Sequence, residues 1–217
     1  MNLDYLKEIR LRELDEIIPL ISEYFSDQKI NILEIGAGSG WQSKELSTLG
    51  HDVKAIELAS SYYLEDSVWP ITTYDGKTIP FEDKKFELIF SSNVIEHIPD
   101  IENYQQEIQR VLKPNGIAIH LAPSGTWRFW TTLNHYPNAV SKVVQKLGSF
   151  VSTNKKKTEA NENEKPLVSI EKKSKLKLLR NLLFPRVHGE YGNFITETYV
   201  FSRFRWRRLF QKSGWTI

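Results

Sequence analysis

Lys29-Ile30-Asn31-Ile32-Leu33-Glu34-Ile35-Gly36-Ala37-Gly38-Ser39-Gly40 is the stretch on which the fold turns. Its first part, rich in β-branched residues, reads as a short strand, and its three glycines at alternate positions read as a sharp turn. A helix follows over 41–49 and Gly50 stops it. Such a strand-turn-helix unit carries backbone N–H groups toward a ligand, because a Cβ would block close approach and because φ > 0 is often required. Next, His51-Asp52-Val53-Lys54-Ala55-Ile56-Glu57 reads as a second strand with a carboxylate at its end. An acid there can accept both hydroxyls of a ribose and would repel a 2′-phosphate. The G-x-G-x-G spacing also lacks the G-x-G-x-x-G of the nicotinamide fingerprint, which disfavours an oxidoreductase of that kind.

Working outward, the alternation continues. A helix is expected near 60–65, a third strand near 69–74, a turn at Asp75-Gly76, a fourth strand over 86–92, a helix over 101–112 and a fifth strand over 117–121. Strands alternating with helices imply a parallel sheet with right-handed crossovers. Upstream, Leu6, Ile9, Leu14, Ile17, Ile18 and Ile21 recur at helical steps over 4–25, with a kink or break expected at Pro19. The fold class is therefore α/β: a three-layer α/β/α sandwich around a Rossmann-like, mostly parallel sheet. One domain over 1–217 is expected, with an N-terminal helix (1–27), a core (28–123), an insertion or cap (124–195) and a C-terminal helix with a partial strand (196–217). Regular structure is expected to resume at Tyr199-Val200-Phe201-Ser202 as a sixth strand, then a helix over 205–212. Trp215-Thr216-Ile217 reads as the start of another strand, so the sheet edge is expected to be truncated or to lack its hairpin.

Bulk properties exclude several classes. The chain has no cysteine, which removes disulfides, Cys-ligated zinc and thiol catalysis and fits a reducing, cytoplasmic setting. The N-terminus lacks a signal-peptide layout, and no apolar run reaches the roughly 18 residues of a membrane span. A formal charge of +2 gives no reason to expect nucleic acid, and no spacing suggests a metal site.

Beyond the loop and its acid, more blocks follow in order. These are Asp75-Gly76-Lys77-Thr78-Ile79-Pro80-Phe81, then Phe86-Glu87-Leu88-Ile89-Phe90-Ser91-Ser92-Asn93-Val94-Ile95-Glu96-His97, then Arg110-Val111-Leu112-Lys113-Pro114-Asn115-Gly116. Together with residues 32–40 and 50–57 they resemble the small-molecule class I S-adenosylmethionine-dependent methyltransferases, over roughly 28–124. The resemblance implies S-adenosylmethionine as cofactor. Glu34 and the loop Gly36, Ala37, Gly38 and Gly40 would hold its methionine end. Glu57 would take the ribose hydroxyls, Asp75 with Gly76 the adenine edge, and Ser92 with Asn93 would pack near the sulfonium. Asn115 stands where the family usually has glycine, and asparagine tolerates the left-handed conformation.

His97, just after the fourth strand, is either a base or acceptor-pocket wall, or a side chain that holds its loop. His120 reads as a satisfied core residue, and His135 and the His188–Glu190 pair as polar side chains in solvent or as a base with its orienter. Trp127, Phe129, Trp130 and Tyr136 form either an apolar, sugar-stacking wall or a small satellite core. The basic, leucine-bearing segment 172–184 lies on an anionic membrane surface as a peripheral contact, packs its leucines on the domain, or, against the mild overall charge, meets nucleic acid. The function expected is methyl transfer, on oxygen, to a small-molecule or glycan- or lipid-linked acceptor. The alternative is a non-catalytic S-adenosylmethionine-binding module.

Overall fold

The structure is a computed structural model, and it describes residues 3–127, 129–131, 133, 134, 137, 141 and 196–217. These fall into two compact units, Met1–Pro123 with Arg207–Ile217, and Ser124–Trp206.

The first unit is built on five strands: β1 (Asn31–Ile35), β2 (Asp52–Leu58), β3 (Ile71–Tyr74), β4 (Phe86–Ser92) and β5 (Leu112–Leu121). They lie in the order β3-β2-β1-β4-β5, and every neighbouring pair is parallel. The chain therefore winds outward from β1 to β3, then returns to the other side of β1 for β4. Between β1 and β4 the order reverses, and open α/β sheets bind ligands outside the carboxyl ends of their strands at such a switch.

Helices cover both faces. Leu14, Ile17 and Ile21 of α1 (Leu3–Phe25) and Leu46 of α2 (Trp41–Thr48) bury one face against Ile32, Val53, Leu88 and Phe90. On the other face Tyr104, Ile108 and Val111 of α3 (Ile101–Val111) pack on Leu33, Ile35, Ile56 and Ile89. The three-layer arrangement follows from the alternation of side chains along each strand. The same alternation decides where the polar ends go. Glu34 continues the row of Ile32, Glu57 that of Val53, and Ser92 that of Leu88 and Phe90, so all three leave the sheet on the α1–α2 face.

Local details differ from the sequence reading. α1 is continuous through Pro19. Pro19 and Asp15, whose carbonyl loses its intrahelical donor, are both exposed, so solvent can satisfy that group. The helix expected at 60–65 is a single 3-10 turn, Tyr62–Asp66, which buries no side chain and so lacks an apolar face to hold an α-helix. β5 begins at Leu112, not at Ile117. Leu112 pairs with Phe86, pairing resumes at Leu88 with Ile117, and the residues between form an irregularity. Asn115 adopts φ 64° there, the left-handed conformation expected of it.

The C-terminal reading needs the larger correction. Residues 199–202 are not a strand: helix α4 (Thr196–Val200) occupies the site, and the Phe201 amide donates to the Glu197 carbonyl at 2.9 Å. Glu197 and Phe201, four residues apart, are both buried, so burial there follows the helical period. After α5 (Arg203–Lys212), Gly214 takes φ 87° and the Trp215 amide donates to the Phe210 carbonyl at 3.0 Å. This is a helix-ending motif, not the start of a strand. Trp215 instead packs against the α3-side core. Among the described residues the sheet has five strands and no sixth.

Candidate active site at the carboxyl ends of the sheet

The glycine loop leaves β1 and is locked onto β2. The amides of Gly36 and Ala37 donate to the Ile56 carbonyl at 2.9 and 3.1 Å, and Gly40 donates to the Ala37 carbonyl at 2.8 Å. The Gly38 amide donates to Glu57 Oε2 at 2.8 Å, while Glu57 Oε1 takes the Leu58 amide at 2.7 Å. The sequence reading had these amides directed at a ligand. Those of Gly36, Ala37 and Gly38 are instead spent on holding the loop beside β2, and that of Gly40 closes a turn within the loop. Gly36 and Gly38 both take positive φ (68° and 57°). A Cβ at Gly36 would collide with Val94, so that glycine is required by packing as well as by conformation.

Glu57 is thus the joint between the first two strand ends. Each of its oxygens accepts one backbone N–H, and a carboxylate has about four lone-pair sites. Capacity for a diol remains. Asp75 lies just beyond β3. Its Oδ1 accepts the amides of Lys77 and Thr78 at 2.8 and 2.9 Å, and these bonds hold the carboxyl below the usual range. Gly76, at φ 78°, abuts Leu58 of β2, with 2.9 Å between that side chain and the place a Cβ would take.

Glu34 is buried beneath α2 and accepts the hydroxyl of Ser43. Burial pushes its carboxyl up to about 7, against the opposing effect of that hydrogen bond. The Arg10 guanidinium and the Glu57 carboxylate are close enough to act on it, in opposite directions.

Arg10 and Glu13 are what sequence reasoning missed. Arg10 Nη1 donates to Ser92 Oγ at 2.7 Å and to Glu13 at 2.9 Å. The Ser92 hydroxyl donates to Glu13 Oε2 at 2.6 Å, and Asn93 Nδ2 donates to Glu13 Oε1 at 3.1 Å. Asn93 sits at φ 55° and its amide donates to the Leu121 carbonyl, which turns the chain at the end of β4. α1 is tied to α2 as well, through Gln42 Nε2 to the Arg10 carbonyl at 2.9 Å. A signal was available: Arg10, Leu14, Ile17 and Ile21 fall on one stripe of α1, and a cation on an apolar stripe has a reason to be there.

The Glu96–His97 pair follows β4. His97 is half-exposed, with Nε2 3.9 Å from Glu96 Oε1. Glu96 is buried, and neither of its carboxylate oxygens has a hydrogen-bond partner among the described residues. Burial raises its carboxyl above the usual range. His120 is packed as a core residue but only half satisfied: Nδ1 lies 2.7 Å from Ser91 Oγ and the ring stacks on Phe210, while buried Nε2 has no hydrogen-bond partner among the described residues, and burial lowers the imidazole to about 4.

In the second unit, Trp127, Phe129 and Trp130 are exposed by 42, 52 and 54%, and the Phe129 and Trp130 rings meet edge to face with centroids 5.6 Å apart. Tyr136, His135, the 188–190 pair and the 172–184 segment lie outside the described residues. Among the described residues no group of side chains could hold a metal ion, and no helix is long and apolar enough to cross a membrane.

A parallel sheet with a glycine loop at its switch point, an acid closing the neighbouring strand and a second acid after the third defines a Rossmann-like, nucleoside-binding class of protein. Residues 5–217 match the methyltransferase domain family, and the chain belongs to it, as a class I S-adenosylmethionine-dependent methyltransferase. Among similar proteins, a ubiquinone biosynthesis O-methyltransferase of Rickettsia felis is 32% identical over 124 residues, 52% of this chain and 50% of that protein. A biotin biosynthesis bifunctional protein of Cellvibrio japonicus is 30% identical over 120 residues, 50% of this chain and 24% of that one. A solved structure from Pyrococcus horikoshii shares 23% identity with a TM-score of 0.45, covering 52% of this chain and 57% of its own. The chain spans at most about half the length of the curated relatives it matches.

Proposed function

We propose that this protein transfers a methyl group from S-adenosylmethionine to an oxygen of a small-molecule acceptor, in a cytoplasmic setting. The observation that carries the reading is Glu57: one carboxylate, at the end of β2, hydrogen-bonded to the glycine loop of β1 and retaining acceptor capacity for a ribose diol. The residues present fit the cofactor's chemistry. It brings an ammonium, a carboxylate, a diol and an adenine edge, and the site supplies Glu34, Arg10, Glu57 and Asp75 as partners of matching sign. When bound, it supplies an activated methyl group on a sulfonium.

The chain's own task is alignment and proton handling. Arg10 and Glu13 hold Ser92 and Asn93 in place at the end of β4, beside the sulfonium position that the family resemblance implies. His97 is suited to take the proton of an acceptor hydroxyl, since its ring is partly open to solvent with a carboxylate 3.9 Å from Nε2. Oxygen as the methylated atom is supported by that base and by the Rickettsia felis relative, an O-methyltransferase by name. The exposed rings of Trp127, Phe129 and Trp130 are of a kind that stacks on aromatic or sugar rings, which extends the acceptor class to glycan-like and lipid-linked compounds.

Two measurements test this. Calorimetric titration should show S-adenosylmethionine binding that Glu57→Ala weakens by about 1–3 kcal/mol, the cost of losing a buried charge-assisted hydrogen bond. An unchanged affinity removes Glu57 from the site. Labelled S-adenosylmethionine with a metabolite extract should give a labelled product, and His97→Ala should slow its formation while sparing cofactor affinity. Normal product formation by that variant leaves His97 without a role as base.

A further inference from the structure

The three side chains Tyr104, Glu107 and Arg110 recur every third residue along α3, on neighbouring positions of one side of the helix. None of them belongs to the glycine loop, to Glu57 or to the β4 end, and yet all three reach the segment that carries Asp75. Tyr104 Oη lies 2.8 Å from Tyr74 Oη, immediately before Asp75. Glu107 Oε2 accepts the Ile79 amide at 2.9 Å. Arg110 donates to the carbonyls of Ile79 and Phe81, each at 2.9 Å, and to Asp83 Oδ1 at 2.7 Å. Its remaining N–H groups return to Glu107 at 2.9 and 2.8 Å, which fixes the guanidinium plane.

The segment from Tyr74 to Asp83 is thus pinned on both sides of Asp75, and only a short exposed arch between the pins is left to its own hydrogen bonds. Asp75 Oδ1 makes those bonds, to Lys77 and Thr78, and Oδ2 takes part in neither. Asp75 is also close enough to Tyr104 and to Glu107 to act on both electrostatically. A surface carboxylate on an arch anchored this way has a set position before any ligand arrives, and preorganisation of that kind is what makes a hydrogen bond selective.

We infer that Tyr104, Glu107 and Arg110 are positioning residues that set the place of Asp75, and through it the selectivity of the site for the amino-bearing edge of adenine. The inference rests on the proposed cofactor and deepens it. Adenine presents an amine at the 6-position, a donor to Asp75; hypoxanthine presents a carbonyl there, which would face the carboxylate acceptor to acceptor. A correctly placed Asp75 tells the two apart, and a displaced one does so less.

The test is calorimetry on the full chain with two probes, S-adenosylhomocysteine and S-inosylhomocysteine, with thermal melting alongside. The wild-type protein should prefer the adenine compound. Glu107→Gln should narrow that preference roughly three- to tenfold, the equivalent of one or two mispositioned hydrogen bonds. Tyr104→Phe, which removes one hydroxyl and keeps the ring in the core, should fold normally and narrow it less. If both variants keep the wild-type preference while melting earlier or binding both probes more weakly, the α3 contacts are structural only and the inference fails. A wild-type protein that binds neither probe overturns the cofactor reading itself, and one that binds both equally removes Asp75 as the reader.

Discussion

Two pairs of acids around the site, Glu107 with Asp75 and Glu34 with Glu96, are treated in opposite ways. On the α3 side, Glu107 and Asp75 are supplied with partners: backbone amides for both, and a guanidinium for Glu107, and both carboxyls are held below their ordinary range. On the α1 side, Glu34 is buried with the Ser43 hydroxyl as its hydrogen-bond donor, and Glu96 is buried with none among the described residues; both are raised. Burial without partners disfavours a charged carboxylate, whereas backbone N–H donors favour it. Glu34 and Glu96 are held at a cost that a cationic or donor-bearing ligand would relieve, and the proposed cofactor carries such a group in its ammonium. Glu13 of α1, by contrast, is supplied by Arg10, Ser92 and Asn93.

The largest test of this contrast is Glu34. Its folded-state value of about 7 lies above the ordinary 4.5, so the folded protein binds the proton more tightly than the unfolded chain. Stability linked to this group is fully present below pH 4.5 and is lost as pH rises through 7, amounting to about 3 kcal/mol at roughly 1.4 kcal/mol per unit. Glu34→Gln should abolish that dependence, so denaturant unfolding of variant and wild type should diverge between pH 5 and 8. Parallel pH profiles would erase the distinction between the two sides. A smaller effect is expected at Arg10, which sits among the α1-side acids. Arg10→Gln should weaken S-adenosylhomocysteine by about 2 kcal/mol, as for a lost charged hydrogen bond, and leave adenosine almost unaffected. Equal losses for both ligands would place Arg10 outside the amino-acid half of the site and reduce it to a tether for Ser92.

Much of this was legible beforehand where the signal is local. The β1–loop–α2 unit, the acid closing β2 and the left-handed Asn115 each follow from residue type and period within about ten residues. The last α/β crossover was legible only in part, because Lys113-Pro114-Asn115-Gly116 reads as a turn when β4 is not there to pair with it. The run Tyr199-Val200-Phe201-Ser202 was misread for a related reason. Its β-forming composition describes a propensity, and the burial of Glu197 with Phe201 outweighed it.

The sequence by itself determined that Glu34 shares a face with Ile32, Glu57 with Val53 and Ser92 with Phe90, since alternation along a strand needs no partner to be read; the register between β1, β2 and β4 brought the three rows to one face. Tertiary structure decided which groups are spent and which are spare. Arg10 meets Ser92 across 82 positions, the loop amides turn to β2 and not outward, and α3 reaches the Asp75 arch from 28 residues away at Glu107 and Ile79. Hydrogen-bond pairing between distant groups depends on the packed distances between elements, and no periodicity along the chain encodes those.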